Sequence, residues 1–199
     1  MGTSKYKESA KGVSYHLYNR GNRKQIIFEG EEDYRLYVNL LNKYCKETSF
    51  SIIAYCLMPN HIHLLLRQED QDTPAKLMSR LHTAYAVYYN KKYKSIGHLF
   101  QGRYKQKIIK SDNYLIRLVS YIHRNPVKDM LVEAPEGYSW SSFRQYKKMR
   151  NGSQPNGVCS ATVIKSLGLI EVLKFTEEGM RKSANQLSPY EVFETDRIV

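Results

Sequence analysis

The sequence contains little cysteine and no long apolar run. Its three cysteines, Cys45, Cys56 and Cys159, are an odd number with no Cys-x-x-Cys pair among them, which argues against a disulfide framework and against a thiolate zinc site. The chain also lacks a run of about 18 uncharged apolar residues, the length that a membrane helix needs. Its first residues lack the apolar core of a signal peptide. We therefore expect a soluble protein of the cytoplasm that does not enter a membrane.

Acidic residues are outnumbered by basic ones. The 199 residues include 31 Lys and Arg against 19 Asp and Glu, for a net charge of +12. Residues 151–199 hold five basic and six acidic side chains, which leaves +13 for residues 1–150, where most of the 17 tyrosines also lie. Cations neutralise phosphates and aromatic rings stack on exposed bases. This composition favours a nucleic-acid partner, although a solvated basic surface has the same composition.

Apolar patterning predicts an alternation of strands and helices. Strands are expected over residues 13–19, 50–57, 61–66 and 103–110, and helices from near residues 31, 74 and 111. The last helix should end near Asn125, because Pro126 disfavours helical geometry in the residue before it. The first six elements follow the order of a split βαβ unit. We therefore predict an α+β protein with a ferredoxin-like antiparallel sheet, helices on one face, a further helix and a C-terminal appendage.

The segment of residues 151–157, Asn-Gly-Ser-Gln-Pro-Asn-Gly, has the composition of a linker. It predicts a division into a domain of residues 1–150 and an extension of residues 151–199 with a short helix. On this division we expect residues 1–150 to keep the binding functions of the chain when the extension is removed.

Two histidines lie one residue apart in Met-Pro-Asn-His-Ile-His, residues 58–63. Side chains alternate along a strand, so His61 and His63 should share one face. Two neutral imidazoles make half of a metal site, although an isolated pair is more often two ordinary strand residues. The following residues do not supply the third histidine of a histidine-triad hydrolase, the remaining ligands of a cupin, or the Pro-Cys-x-x-Cys of a deaminase.

The segment Tyr-Ile-His-Arg-Asn-Pro-Val, residues 121–127, contains groups that could complete such a site. Tyr121 and Asn125 are four residues apart, so they share a helix face, and an amide oxygen can complete a metal site beside a phenol. Taken alone, Tyr121 could instead be a packing residue, and Asn125 could instead be a helix-end residue that forms a turn. Tyr114 is the rival nucleophile, but the helical rise places it about 16 Å from Asn125, too far to act beside that ligand.

Three segments stand in a fixed order: Met-Pro-Asn-His-Ile-His at 58–63, Gly-His-Leu-Phe-Gln-Gly-Arg-Tyr-Lys at 97–105, and Tyr-Ile-His-Arg-Asn-Pro-Val at 121–127. In this order and spacing they strongly resemble the single-tyrosine HUH transposases, in particular the REP-associated tyrosine transposases. The resemblance covers residues 10–147, including Trp-Ser-Ser at 140–142.

The resemblance implies a site and its chemistry. His61 and His63 would lie on the sheet, Tyr121 would be the nucleophile on a helix, and Asn125 would be the third ligand of a divalent metal, Mg²⁺ or Mn²⁺. Other branches of the class have glutamine in place of Asn125. Residues 1–150 would be the catalytic domain, which cleaves and rejoins DNA through a tyrosine joined to a 5′-phosphate.

The resemblance also implies the partners. Single-stranded DNA with hairpin elements is the expected substrate. Four basic residues near the predicted site are candidate phosphate contacts, with a solvated surface as the alternative for each: Arg20, Arg23, Arg103 and Lys105. A homodimer is one expectation, since the wider class includes dimers that share active sites as well as enzymes that work alone.

Two other functions fit part of the sequence. One is a non-catalytic sheet domain that binds single-stranded nucleic acid by stacking bases on tyrosines. Against it, residues 103–110 lack the glycine and the spaced rings of the RNP1 signature. The other is a metal-dependent phosphodiesterase that activates water and forms no covalent intermediate.

Overall fold

The computed structural model describes residues 11–151, 158–166 and 168–183. Its strands are β1 (Ser14–Arg20), β2 (Phe50–Met58), β3 (His61–Gln68) and β4 (Lys105–Ile109); its helices are α1 (Glu31–Glu47), α2 (Pro74–Tyr93), α3 (Asp112–Lys128), α4 (Phe143–Arg150), α5 (Ala161–Ser166) and α6 (Leu169–Ser183). Short 3-10 turns cover Asn22–Lys24 and Pro135–Gly137. None of the helices within these ranges is long and apolar enough to cross a membrane.

The four strands form one sheet in the order β2-β3-β1-β4, and every neighbouring pair is antiparallel. Each strand alternates residues between the two faces of this sheet. Leu17, Ile62 and Leu64 lie on one face and are fully buried. The predicted α+β class and antiparallel sheet are therefore confirmed.

The helix that carries Tyr121 is longer than predicted. It was expected to end near Asn125, but α3 continues through Pro126 to Lys128. Proline removes a backbone donor and crowds the preceding turn. The carbonyl that Pro126 cannot reach with a donor is that of Ile122, four residues earlier. The Asn125 amide nitrogen bonds a different carbonyl oxygen, that of Tyr121, at 2.8 Å. Both Asn125 and Pro126 are buried, so packing offsets the local preference for ending the helix.

The described part of the C-terminal segment packs into the same core as the sheet. Ser160 donates its backbone N–H to the Ile52 carbonyl oxygen at 2.8 Å, beside the edge strand β2. Helix α6 packs against α3, and Val172 and Leu173 are buried in the common hydrophobic cluster. The division predicted at residue 151 stays a prediction, since residues 152–157 lie outside the described residues. The packing indicates that α6 supports the helix that carries Tyr121.

The contribution of α6 to stability can be measured with two substitutions in that helix. Leu173 is 1% exposed and Ile170 is 74% exposed. We expect Leu173→Ala to lower the free energy of unfolding by about 2–4 kcal/mol, because it leaves a cavity in the core. Ile170→Ala should change it by less than ~0.5 kcal/mol. Urea denaturation measures both, and equal small losses would show that α6 does not contribute to the core.

Candidate active site

A cleft of about 620 Å³ opens beside α3 on the sheet face that carries both histidines. Strands β1, β3 and β4, the loop before β4 and helix α3 all contribute side chains to it. The lining includes His16, Tyr18, Arg20, Lys24, His61, His63, Gln101, Arg103, Lys105, Lys107, Tyr114, Tyr121 and Asp129.

Strand pairing brings residues from three strands to one face. In β1 and β3, Arg20 pairs with His61 and Tyr18 pairs with His63. Tyr18 also pairs with Lys105 of β4. Directly paired residues of antiparallel strands lie on the same side of the sheet. The pairing therefore surrounds the two histidines with an aromatic ring and two cations.

The histidine pair lies close together, as its spacing predicts. The ring centroids of His61 and His63 are 5.2 Å apart, with the rings nearly perpendicular. His61 Nδ1 lies 2.7 Å from the side-chain oxygen of Asn60. His63 Nδ1 lies 3.0 Å from Nε2 of His16, a residue of β1. Each histidine thus has one ring nitrogen held by a neighbouring side chain.

Burial favours the neutral form of these imidazoles. It lowers the pKa of His63 well below the usual value for histidine, and the positive charges that His16, His61 and Lys128 can carry act in the same direction. Burial also lowers the pKa of His61, with Asp129 opposing the shift. The pKa of His16 falls to about 4, first through burial and then through Lys107. Neutral imidazole is the form that binds a metal.

Both candidate tyrosines of α3 line the cleft, but they have different neighbours. The Tyr121 ring lies 5.8 Å from the His63 ring, centroid to centroid, at an angle of 82°. Tyr114 is beside β4, where the Lys107 ammonium lies 5.1 Å from the Tyr114 ring centroid. The structure thus places Tyr121 next to the histidine pair.

Asn125 is buried at 3% exposure and is not among the residues that line the cleft. Its amide nitrogen bonds the Tyr121 carbonyl oxygen, so in this structure Asn125 contacts the backbone of the tyrosine. Its role as a metal ligand stays a prediction.

The basic residues expected near the site divide into two groups. Arg20, Arg103 and Lys105 line the cleft, whereas Arg23, in the 3-10 turn, does not. Arg20 donates from Nε to the side-chain oxygen of Gln101, which connects β1 to the loop before β4.

Several lining residues were not predicted, among them His16, Tyr18, Lys24, Lys107 and Asp129. Lys107 follows Lys105 at the spacing of two that marks one face of a strand, and His16, Tyr18 and Arg20 have the same spacing. This alternation was a signal in the sequence, but its use requires the strand pairing. Asp129 is the one carboxylate among the lining residues, so the cleft is strongly basic.

The side chains of the cleft can be compared with the ligands that a divalent metal needs. Within the described ranges, no group of three or more histidine, cysteine, aspartate or glutamate side chains is arranged to hold a metal. Neutral side-chain oxygens or the oxygens of a phosphate could supply further ligands to an ion at the histidine pair, and oxygen ligands are those that Mg²⁺ and Mn²⁺ prefer. Because Nδ1 of both His61 and His63 is held by a neighbour, the Nε2 atoms are the nitrogens that fit this role.

Comparison with known proteins identifies the family that this chain resembles. The chain matches the family model described as "Transposase IS200 like" over residues 9–125. A Haemophilus influenzae protein assigned to the REP-associated tyrosine transposases is 32% identical over 112 residues, which are 51% of this chain and 63% of that protein. The chain thus spans less than two thirds of the length of this relative.

A solved structure of a REP-associated tyrosine transposase bound to a REP hairpin superposes with a TM-score of 0.60 at 20% identity. The match covers 80% of this chain and 92% of the other. At this identity the superposition supports the fold.

Proposed function

The chain belongs to the IS200-like transposase family, and from this membership and the cleft we propose that it cleaves and rejoins single-stranded DNA through Tyr121. The observation that carries the proposal is the position of the Tyr121 ring beside His63 in a basic cleft. A tyrosine, a histidine pair and several cations lie in this one cleft, which supports the proposal.

The proposed reaction exchanges one phosphodiester bond for another. The Tyr121 oxygen attacks the phosphorus of the scissile phosphate, and the bond from phosphorus to the 3′-oxygen breaks. The departing strand takes a proton and ends in a 3′-hydroxyl, while the 5′-phosphate stays joined to Tyr121. Attack by a 3′-hydroxyl on this phosphotyrosine releases the tyrosine and rejoins DNA. The bond energy is conserved through both steps, so no external energy source is needed.

The basic residues of the cleft would contact the DNA backbone in this proposal. Arg20, Arg103, Lys105 and Lys107 would bind phosphates on both sides of the scissile bond. The ring of Tyr18, on the same face, is placed to stack on a base.

A divalent ion, Mg²⁺ or Mn²⁺, would be held by His61 and His63, with Asn125 as the proposed third ligand. Its chemistry when bound would be to polarise the scissile phosphate and stabilise the charge that develops there. The chain's own contribution is to orient the two imidazoles and to place Tyr121 beside them.

Single-stranded DNA with a hairpin is the proposed substrate. The solved relative is a complex with a REP hairpin, and a tyrosine on a helix beside an open sheet cannot easily reach a phosphate within a regular duplex. Action in the cytoplasm and a homodimeric state stay predictions; sedimentation velocity would show whether two chains associate.

One experiment separates this function from the two alternatives. The protein is incubated with Mn²⁺ and a labelled single-stranded hairpin oligonucleotide, and the mixture is then denatured. We expect a covalent protein–DNA adduct. Cut DNA without an adduct would indicate a hydrolase that activates water, and intact DNA that binds before denaturation would indicate a binding domain.

A further inference from the structure

The wall of the cleft contains a hydrogen bond between His16 and His63 that the reaction proposed above does not use. His16 Nε2 lies 3.0 Å from His63 Nδ1, and the two rings are stacked with centroids 5.2 Å apart and an interplanar angle of 22°. The strand partner of His16 is Leu65 and that of His63 is Tyr18, so the two histidines are diagonal neighbours on one face. Each is only 8% exposed, so little water competes for this contact.

We propose that His16 is a positioning residue that holds His63 in the tautomer needed for metal binding; this inference rests on the proposed function. Two neutral imidazoles can share a hydrogen bond only if one donates and the other accepts. When His63 donates from Nδ1, its Nε2 carries a lone pair that can bind a metal. When His16 donates instead, the hydrogen of His63 lies on Nε2 and metal binding at that atom is blocked.

The other histidine of the pair, His61, also has a hydrogen bond at Nδ1, and the donor of that bond can be assigned. The Asn60 amide nitrogen lies 3.4 Å from the Lys24 carbonyl oxygen, which can only accept. The Asn60 oxygen therefore faces His61 Nδ1, at 2.7 Å, and that nitrogen must be the donor. His61 therefore has a lone pair on Nε2. If His16 accepts the hydrogen bond from Nδ1 of His63, then His63 has the same tautomer, with a lone pair on its Nε2.

The inference can be tested by Mn²⁺ binding to the full-length protein without DNA, measured by titration calorimetry. His16→Leu fills a similar volume and accepts no hydrogen bond, so we expect Mn²⁺ affinity to fall by about 10- to 100-fold. The oxygen of His16→Gln can occupy the position of Nε2 and accept from His63, so affinity should return to within ~3-fold of wild type. The exposed His98, replaced by leucine, is the matched control and should leave affinity unchanged.

The outcomes distinguish this inference from the proposed function. If wild type binds Mn²⁺ and His16→Leu binds it equally well, or if His16→Gln is as weak as His16→Leu, His16 is not a positioning residue and the proposed function is unaffected. If wild type itself binds no Mn²⁺, the positioning inference fails, and the adduct assay alone decides the proposed function. If thermal melting shows that His16→Leu is unfolded, His16→Asn is used in its place. The side-chain oxygen of this asparagine can occupy the position of the histidine Nδ1 but does not reach His63. Mn²⁺ affinity of His16→Asn equal to that of wild type would then overturn the inference.

Discussion

Tyr121→Phe should abolish the covalent protein–DNA adduct and leave DNA binding close to wild type. The substitution removes one hydroxyl and keeps the ring that contacts His63, so the fold and the cleft should survive without the nucleophile. We expect adduct formation to fall by ~10³-fold or more. Denaturing gels measure the adduct, and fluorescence anisotropy with the same labelled hairpin measures binding.

Tyr114→Phe is the matched control, because it removes a hydroxyl from the same helix and the same cleft. The Tyr114 ring lies against Lys107, and that contact does not need the hydroxyl. We expect adduct formation close to wild type. An adduct that persists in Tyr121→Phe and disappears in Tyr114→Phe would reverse the assignment of the nucleophile.

His61→Ala and His63→Ala should each weaken Mn²⁺ binding by about 100-fold or more, a larger loss than removal of a residue that only orients a ligand. Each substitution removes a nitrogen that would bind the ion directly. Cleavage should fall with metal binding, and excess Mn²⁺ should restore it only in part. Titration calorimetry and the adduct assay measure the two effects on the same samples. Metal affinity unchanged in both variants would show that the histidine pair is not the metal site.

Asn125→Ala should have a milder effect on Mn²⁺ affinity, because water can replace a neutral amide oxygen around the ion. It should also lower the free energy of unfolding by about 1 kcal/mol, since the bond to the Tyr121 carbonyl is lost. A loss of metal affinity as large as that of the histidine variants would show that Asn125 is an essential ligand.

The sequence was sufficient to predict which residues of one strand share a face, but not the register in which neighbouring strands pair. The spacing of His61 and His63 predicts their common face because strand geometry is local. The contact between His16 and His63 depends on the register of β1 against β3, and a shift by one residue would turn His16 away. His16, Tyr18 and Lys107 were for this reason missed as residues of the cleft.

Two other features of the structure have tertiary causes. The rule that ends a helix before proline acts locally, whereas α3 continues through Pro126 because residues of that turn are buried in the core. The division at residue 151 stays a prediction, but the sequence did not show where the C-terminal helix packs. Val172 and Leu173 of α6 lie in the shared core, and the partner of an amphipathic helix cannot be identified from that helix alone.

The most direct test of the proposed chemistry is to identify which residue carries DNA in the adduct. The protein is incubated with Mn²⁺ and a hairpin oligonucleotide, the adduct is purified under denaturing conditions, and nuclease and trypsin digestion precede mass spectrometry. Trypsin places Tyr121 in the peptide of residues 118–124 and Tyr114 in that of residues 111–117. We predict a nucleotide phosphate on the Tyr121 peptide alone. Before digestion, the purified adduct should retain a 3′-end label of the oligonucleotide and lack a 5′-end label. A nucleotide on any other peptide, or retention of the 5′-end label, would contradict the proposal.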